Sequence, residues 1–268
     1  MAVIGNRGPI AQYWATAADP GSIVMPHNFG ERMKMPLSRF LVIQSNMSFM
    51  EGQPNEEDPW APIRPLIEGF NATRAEHILP GTFLTVDECM SAWKGSNRKH
   101  RHDGMPHVTK IQRKPEGVGA EFKSIACSQT GILLKLDIVE GTARQSSKQF
   151  HQQYGSGTSS VLRLSQEYFG SGRTVVADSA FASVKTLLAL KKSGLFFMGM
   201  VKTAHREFPK SVLQQWADGN LDGAVPKRGS HLLLETEEDN ESFYAIGWKD
   251  KKLKTILAEG HQILVSLS

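Results

Sequence analysis

Between residues 83 and 201, segments with strand character and segments with helical periodicity follow one another in a defined order. Runs rich in β-branched and aromatic residues predict strands at 83–87, 118–127, 132–140, 173–177 and 195–201. Apolar residues at helical spacing predict helices at 159–169 and 182–193. The turn residues 128–131 predict an antiparallel hairpin of the second and third strands, and helical connections favour parallel pairing of the later ones. We therefore predict an α/β fold with a mixed sheet flanked by helices.

This order of elements is that of an RNase H-like sheet, which is the fold class we predict for the central part of the chain. Helical patterns at 37–47 and 62–78 predict a helical N-terminal segment. Beyond residue 207, one helix and three strand-like runs at 231–235, 242–248 and 253–257 predict a small β-rich insertion subdomain that returns to the sheet. The predicted organisation is a helical N-terminal segment at 1–79, an RNase H-like core at 80–206, an insertion subdomain at 207–250, and a return strand with a tail at 251–268.

Composition argues against several classes of protein. Hydrophobic residues make up 40% and charged residues 22% of the 268 residues, which is unlike a disordered chain or a fibre. No run approaches the roughly 18 consecutive apolar residues of a membrane span, so no membrane association is expected. Cys89 and Cys127 form neither a disulfide framework nor a zinc-ligand spacing, which favours a reducing intracellular compartment.

Positive charge is concentrated in one segment. Between residues 94 and 114, lysine and arginine residues stand against a single acid, Asp103, and the segment holds +6 in a chain of net charge +4. Such a cluster suits the phosphates of nucleic acid. We predict DNA contacts from its seven basic residues, which are Lys94, Arg98, Lys99, Arg101, Lys110, Arg113 and Lys114. The alternative is a solvated basic loop without a ligand.

Two aspartates follow strand-like runs. Asp87 closes the run that begins at Thr82, and Asp178 follows the run at 173–177. In an RNase H-like sheet these two strands are neighbours, so the carboxylates would converge and could hold Mg²⁺, which prefers oxygen ligands. Two such ions clamp the attacking and leaving oxygens of a phosphoryl transfer. A complete site needs a third carboxylate, and either aspartate taken alone is more simply a turn or capping residue.

The local sequences around both aspartates carry a family resemblance. P-G-T-F-L-T-V-D-E-C-M-S-A-W-K-G at 80–95 resembles the motif around the first catalytic aspartate of piggyBac transposases and their domesticated relatives. V-V-A-D-S-A-F-A-S-V at 175–184 is similar to the element around the second one. K-P-E-G-V-G-A-E-F-K at 114–123, R-F-L-V-I-Q-S-N-M-S-F at 39–49 and W-K-D-K-K-L-K-T-I-L at 248–257 resemble three further family elements. The five elements occur in the family's order and cover roughly residues 37 to 257.

The resemblance implies a transposable element-derived protein with a DDE/D transposase catalytic domain. Its chemistry would be DNA recombination: Mg²⁺-dependent nicking of transposon ends, hairpin formation, and joining of the freed 3′ hydroxyl at TTAA targets. Asp87 and Asp178 match the first two catalytic acids and metal ligands. Double-stranded DNA is the implied partner, with a possible homodimer, no small-molecule substrate, and a nuclear location.

The sequence also departs from the family pattern. The third acid has no counterpart before Ser268, and Asp239 and Asp250 match turns rather than that position. Ser179 stands where many relatives have asparagine or arginine. We therefore expect little or no strand transfer by this chain alone. The alternatives are a noncatalytic DNA-binding or scaffold protein, a decaying transposon fragment, or a gene model that is cut short.

Three other groups of residues favour ordinary structural roles. His100, His102 and His107 are interpreted as loop or DNA-facing residues rather than metal ligands. Packing anchors rather than base-stacking platforms are predicted for Trp60, Trp93 and Trp216. The glycines at 117, 119, 155 and 157 are interpreted as turn formers rather than a phosphate loop.

Overall fold

The structure is a computed structural model that describes residues 10–17, 27–47, 49, 57–92, 105–112, 114, 117–202, 207–221, 223–238 and 241–259. The chain divides into two compact units, Met1–Pro65 and Leu66–Ser268. The dividing line crosses one helix, Arg64–His77. The finer division into four parts stays a prediction.

The first unit contains short helices around an aromatic cluster. Its elements are a 3-10 helix at Ile10–Trp14, helix α1 at Phe29–Arg32 and helix α2 at Leu37–Ser45. The Trp14 ring lies 5.7 Å from the Phe29 ring and 4.8 Å from the Phe40 ring, and its Nε1 donates a hydrogen bond to Met35 O at 2.8 Å. These contacts connect the 3-10 helix to both α-helices.

The second unit contains nine strands among its described residues. Its helices, numbered on from the first unit with the helix that crosses the boundary, are α3 at Arg64–His77, α4 at Thr142–Ser147, α5 at His151–Tyr154, α6 at Ser156–Ser165, α7 at Val184–Lys192 and α8 at Lys210–Ala217, with a 3-10 turn at Gln166–Tyr168. The strands are β1 at Phe83–Ala92, β2 at Thr109–Lys110, β3 at Val118–Cys127, β4 at Leu133–Ile138, β5 at Thr174–Ala177, β6 at Phe196–Met200, β7 at His231–Glu238, β8 at Glu241–Lys249 and β9 at Leu253–Glu259.

These strands form one mixed sheet. Its order is β2-β3-β1-β5-β6-β9-β8-β7, and β4 pairs with the same edge of β3 as β2 does. The β1–β5 and β5–β6 pairs are parallel, whereas the other pairs are antiparallel. The predicted mixed sheet, with antiparallel strands first and helix-connected parallel strands after them, is confirmed.

The main core lies between the sheet and the helices that connect its parallel strands. On β1, Leu84 and Val86 are buried whereas Asp87 is exposed, so the alternation of the strand divides a core face from an open face. Leu164 of α6 and Leu187 of α7 are fully buried in the same cluster. This packing holds β1 and β5 in place at the centre of the sheet.

Several element boundaries predicted from the sequence are wrong. Strand β1 does not end at Asp87, because its antiparallel ladder with β3 continues to the Ala92–Gly119 pair. Helix α6 begins at Ser156, three residues before the predicted start, after Gly155 with φ of 75°. Gly119 therefore lies in a strand and Gly157 in a helix, so neither is a turn former.

The C-terminal part of the described chain extends the sheet. The strands predicted at 231–235, 242–248 and 253–257 are confirmed as β7, β8 and β9, each slightly longer than predicted. Strand β9 pairs with β6, and β8 and β7 follow it outward, so the same sheet continues through all of them. None of the helices in the described ranges has the length and apolar character needed to cross a lipid bilayer.

Candidate functional site

The ladder between β1 and β5 brings two aspartates to adjacent positions. Its last registered pair is Val86 with Ala177, and the next residue on each strand is Asp87 and Asp178. Parallel neighbours are about 4.8 Å apart, so the two aspartates lie one strand spacing from each other. The expectation that these two strands are neighbours is confirmed.

Each carboxylate is oriented by the backbone beside it. Asp87 Oδ1 accepts a hydrogen bond from the Glu88 N–H at 2.7 Å, and Asp178 Oδ1 accepts one from the Ala180 N–H at 2.8 Å. The carbonyl oxygen of Asp178 accepts bonds from the N–H groups of Phe181 at 3.1 Å and of residue 182 at 2.9 Å. Asp178 thus begins a hydrogen-bonded turn that connects β5 to α7.

No described residue forms an ion pair with either carboxylate of this aspartate pair. Asp87 is exposed and Asp178 is partly exposed, so solvent reaches both groups. Two adjacent negative charges repel each other, and a divalent cation between them would remove that repulsion.

On the open face of β1, the neighbours of Asp87 come from β3 and from β1 itself. Ser124, the register partner of Asp87, donates a hydrogen bond from Oγ to Asp87 O at 3.1 Å. Burial raises the pKa of the Cys89 thiol above its ordinary value, and a hydrogen bond with Ser124 and the charge of Lys114 oppose this only in part. A protonated thiol is a poor metal ligand, so the oxygen donors of the aspartates define the chemistry here.

On the core face of the same strand, Glu88 lies among basic side chains. Lys114 Nζ donates a hydrogen bond to Glu88 O at 2.8 Å and lies 3.8 Å from Glu88 Oε1. Lys123, the register partner of Glu88, forms an ion pair with Glu121 and stacks its ammonium group 5.2 Å from the centre of the Phe181 ring. The first contact connects Lys114 to β1, and the last connects Lys123 to the turn after Asp178. Sequence reasoning missed them, because the contacts of Lys114 with Glu88 and of Lys123 with Phe181 join residues that are far apart in the sequence.

The predicted DNA-contacting residues are only partly described. Lys110 is exposed on β2, and Lys114 is engaged with Glu88 as stated above. Several residues singled out from the sequence lie outside the described residues: Lys94, Arg98, Lys99, Arg101, Arg113, Trp93, His100, His102 and Asp239. Trp60 and Trp216 are buried, which confirms that they are packing anchors.

A third acidic ligand is not present beside the aspartate pair in the described part of the chain. Asp250 lies in the turn between β8 and β9 and pairs with Arg228 at 2.7 Å. The backbone N–H of Lys251 and the Arg228 guanidinium hold the pKa of Asp250 below its ordinary value. Across the described residues, no group of three or more histidine, cysteine, aspartate or glutamate side chains could hold a metal ion.

The register of β9 separates Glu259 from the aspartates. Ala177 pairs with Gly199, so the row of Asp178 continues through Met200 and its partner Ile256. Glu259 lies three residues further along β9, about 10 Å towards the other end of the sheet. This buried glutamate therefore cannot complete the site.

Comparison with known proteins finds a matching family and similar solved structures. A family model described as Transposase IS4 matches residues 5–253. The cryo-EM structure of a piggyBac transposase synaptic complex with hairpin DNA superposes with a TM-score of 0.66 at 19% sequence identity, covering 91% of this chain and 49% of that one. The chain thus spans about half the length of the transposase it matches, and the likeness establishes the RNase H-like α/β fold class predicted above. No curated protein gives a match.

Proposed function

The chain belongs to the Transposase IS4 family, and on that premise we propose that it is a transposase-derived protein that binds double-stranded DNA at the aspartate pair. The observation that carries this proposal is the juxtaposition of Asp87 and Asp178 on neighbouring parallel strands. Asp87 is solvent-exposed and Asp178 partly so, and each is fixed by a backbone hydrogen bond, so both can bind a divalent cation that attracts a phosphate of the DNA.

The donor set suits Mg²⁺. Asp87 and Asp178 offer carboxylate oxygens, and Mg²⁺ binds one or two carboxylates while it keeps several waters. When bound there, the ion supplies Lewis-acid stabilisation of phosphoryl transfer. The Asp178 turn and the Glu88 N–H hold the carboxylates in position.

The finer parts of the proposal come from the family resemblance. The matched transposase structure contains hairpin DNA, and we extend DNA binding from that protein to this chain. We further propose TTAA-containing targets and a nuclear location. Because the described residues supply two carboxylates at the aspartate pair and no third one, we expect little or no strand transfer by the 268-residue chain.

Metal binding at the aspartate pair is tested without reference to catalysis. Electron paramagnetic resonance measures how much Mn²⁺ the purified chain binds, with Mn²⁺ as a probe for the Mg²⁺ site. We expect Asp87→Asn and Asp178→Asn each to weaken binding at least tenfold, since each removes one charged ligand. Equal Mn²⁺ binding by the wild type and both variants would overturn the assignment.

Catalysis and DNA binding are tested on the same preparations. A labelled duplex with a TTAA target is incubated with Mg²⁺, and nicked or joined products are resolved on denaturing gels. We expect DNA binding without appreciable joining. A clear joined product that Asp87→Asn abolishes would show that two described carboxylates suffice, and it would refute the expected inactivity.

A noncatalytic DNA-binding or scaffold role is the second candidate. It is favoured by the lack of a three-ligand metal cluster among the residues that the structure describes. In that case Asp87→Ala leaves DNA affinity unchanged, and the wild type binds no Mn²⁺. Loss of Mn²⁺ binding in Asp87→Ala would instead favour the metal site.

A further inference from the structure

A groove of about 500 Å³ lies beside the end of β6, the turn between β8 and β9, and helix α8. Six of its lining residues are lysines, contributed by three separate parts of the chain: Lys202, Lys210, Lys249, Lys251, Lys252 and Lys254. We call this the lysine groove. None of these lysines belongs to the basic segment at 94–114.

The positive charge of the lysine groove is largely uncompensated. Its lining includes one acid, Asp218, whose two carboxylate oxygens accept hydrogen bonds from Gln214 Nε2 at 3.0 Å. Asp250, in the adjacent turn, pairs with Arg228. Lys249 Nζ donates a hydrogen bond to the Ala217 carbonyl at 2.6 Å. Within the described residues, none of the six lysines forms an ion pair, so their charges are available to a ligand.

The sheet register places this groove at the same end of the sheet as the aspartates. The row that contains Asp178 continues to Met200 on β6 and then to Ile256 on β9. Met200 and Thr255 both line the groove. The backbone of Met200, one of the lining residues, therefore lies about one strand spacing, roughly 5 Å, from that of Asp178. A ligand that occupies both sites passes Asp87 on β1, the ends of β5 and β6, and the start of β9.

The chemistry of the lining favours a duplex backbone. Lysine ammonium groups on flexible stems bind phosphates as point charges. Unpaired bases stack on aromatic side chains, and the lining residues that the structure describes include no aromatic one. Six clustered lysines suit a chain of phosphates better than a single anion.

We propose that the lysine groove binds the phosphates of double-stranded DNA and holds the duplex that passes Asp87 and Asp178. This inference rests on the proposed function, because it assigns the groove to the same DNA. The groove would set the direction in which the duplex leaves the aspartate pair.

The test measures how salt affects DNA binding by the full chain in EDTA. Fluorescence anisotropy follows a labelled duplex of about 30 base pairs between about 50 and 200 mM KCl. The triple variant Lys251→Gln/Lys252→Gln/Lys254→Gln should bind at least tenfold more weakly at 100 mM KCl. The slope of log affinity against log salt should fall by about 2 to 3, since each lost phosphate contact lowers it by about 0.9.

Matched variants separate charge from folding. Lys192→Gln removes one exposed lysine at the end of α7, and the chain then enters β6 at the sheet end opposite to the groove. It should leave affinity unchanged, whereas the single variant Lys252→Gln should lower the slope by about 0.9. The triple lysine-to-arginine variant should retain wild-type affinity. If the triple glutamine variant fails to fold, the single Lys252→Gln comparison decides.

The outcomes distinguish the two proposals. Equal affinity and slope for the wild type and the triple glutamine variant would overturn the groove assignment, while Mn²⁺ binding at the aspartates would be untouched. Tighter groove-dependent binding of single-stranded DNA or duplex RNA would also overturn it. Absence of any DNA binding by the wild type would refute the proposed function as well.

Discussion

Asp87 and Asp178 carry like charges at the site where we propose that a metal ion binds. Two carboxylates one strand spacing apart repel each other by about 1 kcal/mol even in a water-like dielectric. Their own backbone neighbours donate to one oxygen of each, but hydrogen bonds from neutral N–H groups do not cancel the charges. Without a bound cation, the repulsion between the two carboxylates therefore destabilises the folded state slightly.

That cost leads to a prediction about metal and stability. Mg²⁺ at tenfold excess over its dissociation constant should stabilise the wild type by about 1.4 kcal/mol and raise its Tm by about 2 to 4 °C. Asp178→Asn should be about 1 kcal/mol more stable than the wild type in EDTA, because the repulsion is gone while the amide oxygen still accepts from Ala180. Differential scanning calorimetry with and without Mg²⁺ measures both effects.

The control for this experiment is Glu235→Gln, which removes an exposed carboxylate on β7, the edge strand that lies four positions from β5 in the sheet. This variant should keep the full Mg²⁺ response. A Mg²⁺-induced rise in Tm that survives in Asp178→Asn would mean that the ion binds elsewhere.

At the level of single residues, the sequence was sufficient to predict the two aspartates as site residues, but it did not predict the side chains that surround them. Asp87 and Asp178 are recognisable because each follows an apolar run in a characteristic local motif. The contact between Lys114 and Glu88 is not recognisable, because Lys114 reads as one more member of a basic cluster. Only the fold shows that this lysine faces β1.

Among the secondary-structure elements, an ion-pair network joins β4 to the helices that follow it. Asp137 on β4 pairs with Lys148 Nζ at 2.7 Å and with Arg163 Nη2 on α6 at 2.7 Å. All three side chains are at most 16% exposed. Arg163 Nη1 also donates to the carbonyl of Gln149 at 3.0 Å. The network thus connects strand, loop and helix through one carboxylate.

Removal of that carboxylate should be costly. Asp137→Ala leaves the Arg163 guanidinium without its carboxylate partner, while Lys148 Nζ keeps Glu140 Oε1 at 3.3 Å, so we expect a loss of about 1 to 3 kcal/mol in the free energy of unfolding. The comparison is Glu167→Ala, whose pair with Lys135 is more exposed and should contribute less than about 1 kcal/mol. Urea unfolding followed by circular dichroism measures both. Similar urea midpoints for the two variants would show that the Asp137 network stabilises the fold no more than the exposed pair of Lys135 and Glu167 does.

The close approach of β6 to the turn after Asp178 gives another prediction. A Cβ on Gly199 would lie 2.7 Å from Ala182 Cβ and 2.6 Å from Phe197 Cζ. Gly199→Ala should therefore cost about 1 to 3 kcal/mol through overpacking. Gly69→Ala, in α3 with no atom within 4 Å of its new Cβ, should instead gain about 1 kcal/mol. Thermal unfolding compares the two, and a stable Gly199→Ala variant would contradict the packing argument.

Secondary-structure elements whose apolar residues recur at a clear period could be predicted from the sequence, and elements without such a period could not. Helix α7 has apolar residues at helical spacing, and its position was predicted within two residues. Helices α4 and α5 have six and four residues and no apolar period, so nothing in the sequence pointed to them. The extension of β1 from Asp87 to Ala92 was missed for a similar reason, since the ladder with β3 rather than local pattern maintains it.

For the molecule as a whole, the main cluster of buried apolar residues in the described ranges belongs to the second unit. The members of the main core cluster run from Ile78 to Leu257, and a smaller cluster around Tyr244 lies in the same unit. The neighbouring positions of β1 and β5 followed from the order of strands and helices along the chain, which is that of an RNase H-like sheet. The lysine groove did not, because its lysines come from segments that meet only in the folded sheet.

The position of these core clusters predicts how far the chain can be shortened from its N-terminus without loss of stability. A fragment of residues 66–268 should unfold cooperatively, with a Tm within about 5 °C of the full chain, because it retains both core clusters. A fragment of residues 80–268, cut at the domain boundary predicted from the sequence, loses α3. Asn71 on that helix bonds to the backbone of Leu136 on β4 at 3.0 and 2.9 Å, so this shorter fragment should be less stable by about 1 to 3 kcal/mol. Calorimetry on both fragments decides between the boundaries, since equal stability would place the boundary at residue 80 and make α3 dispensable to the sheet.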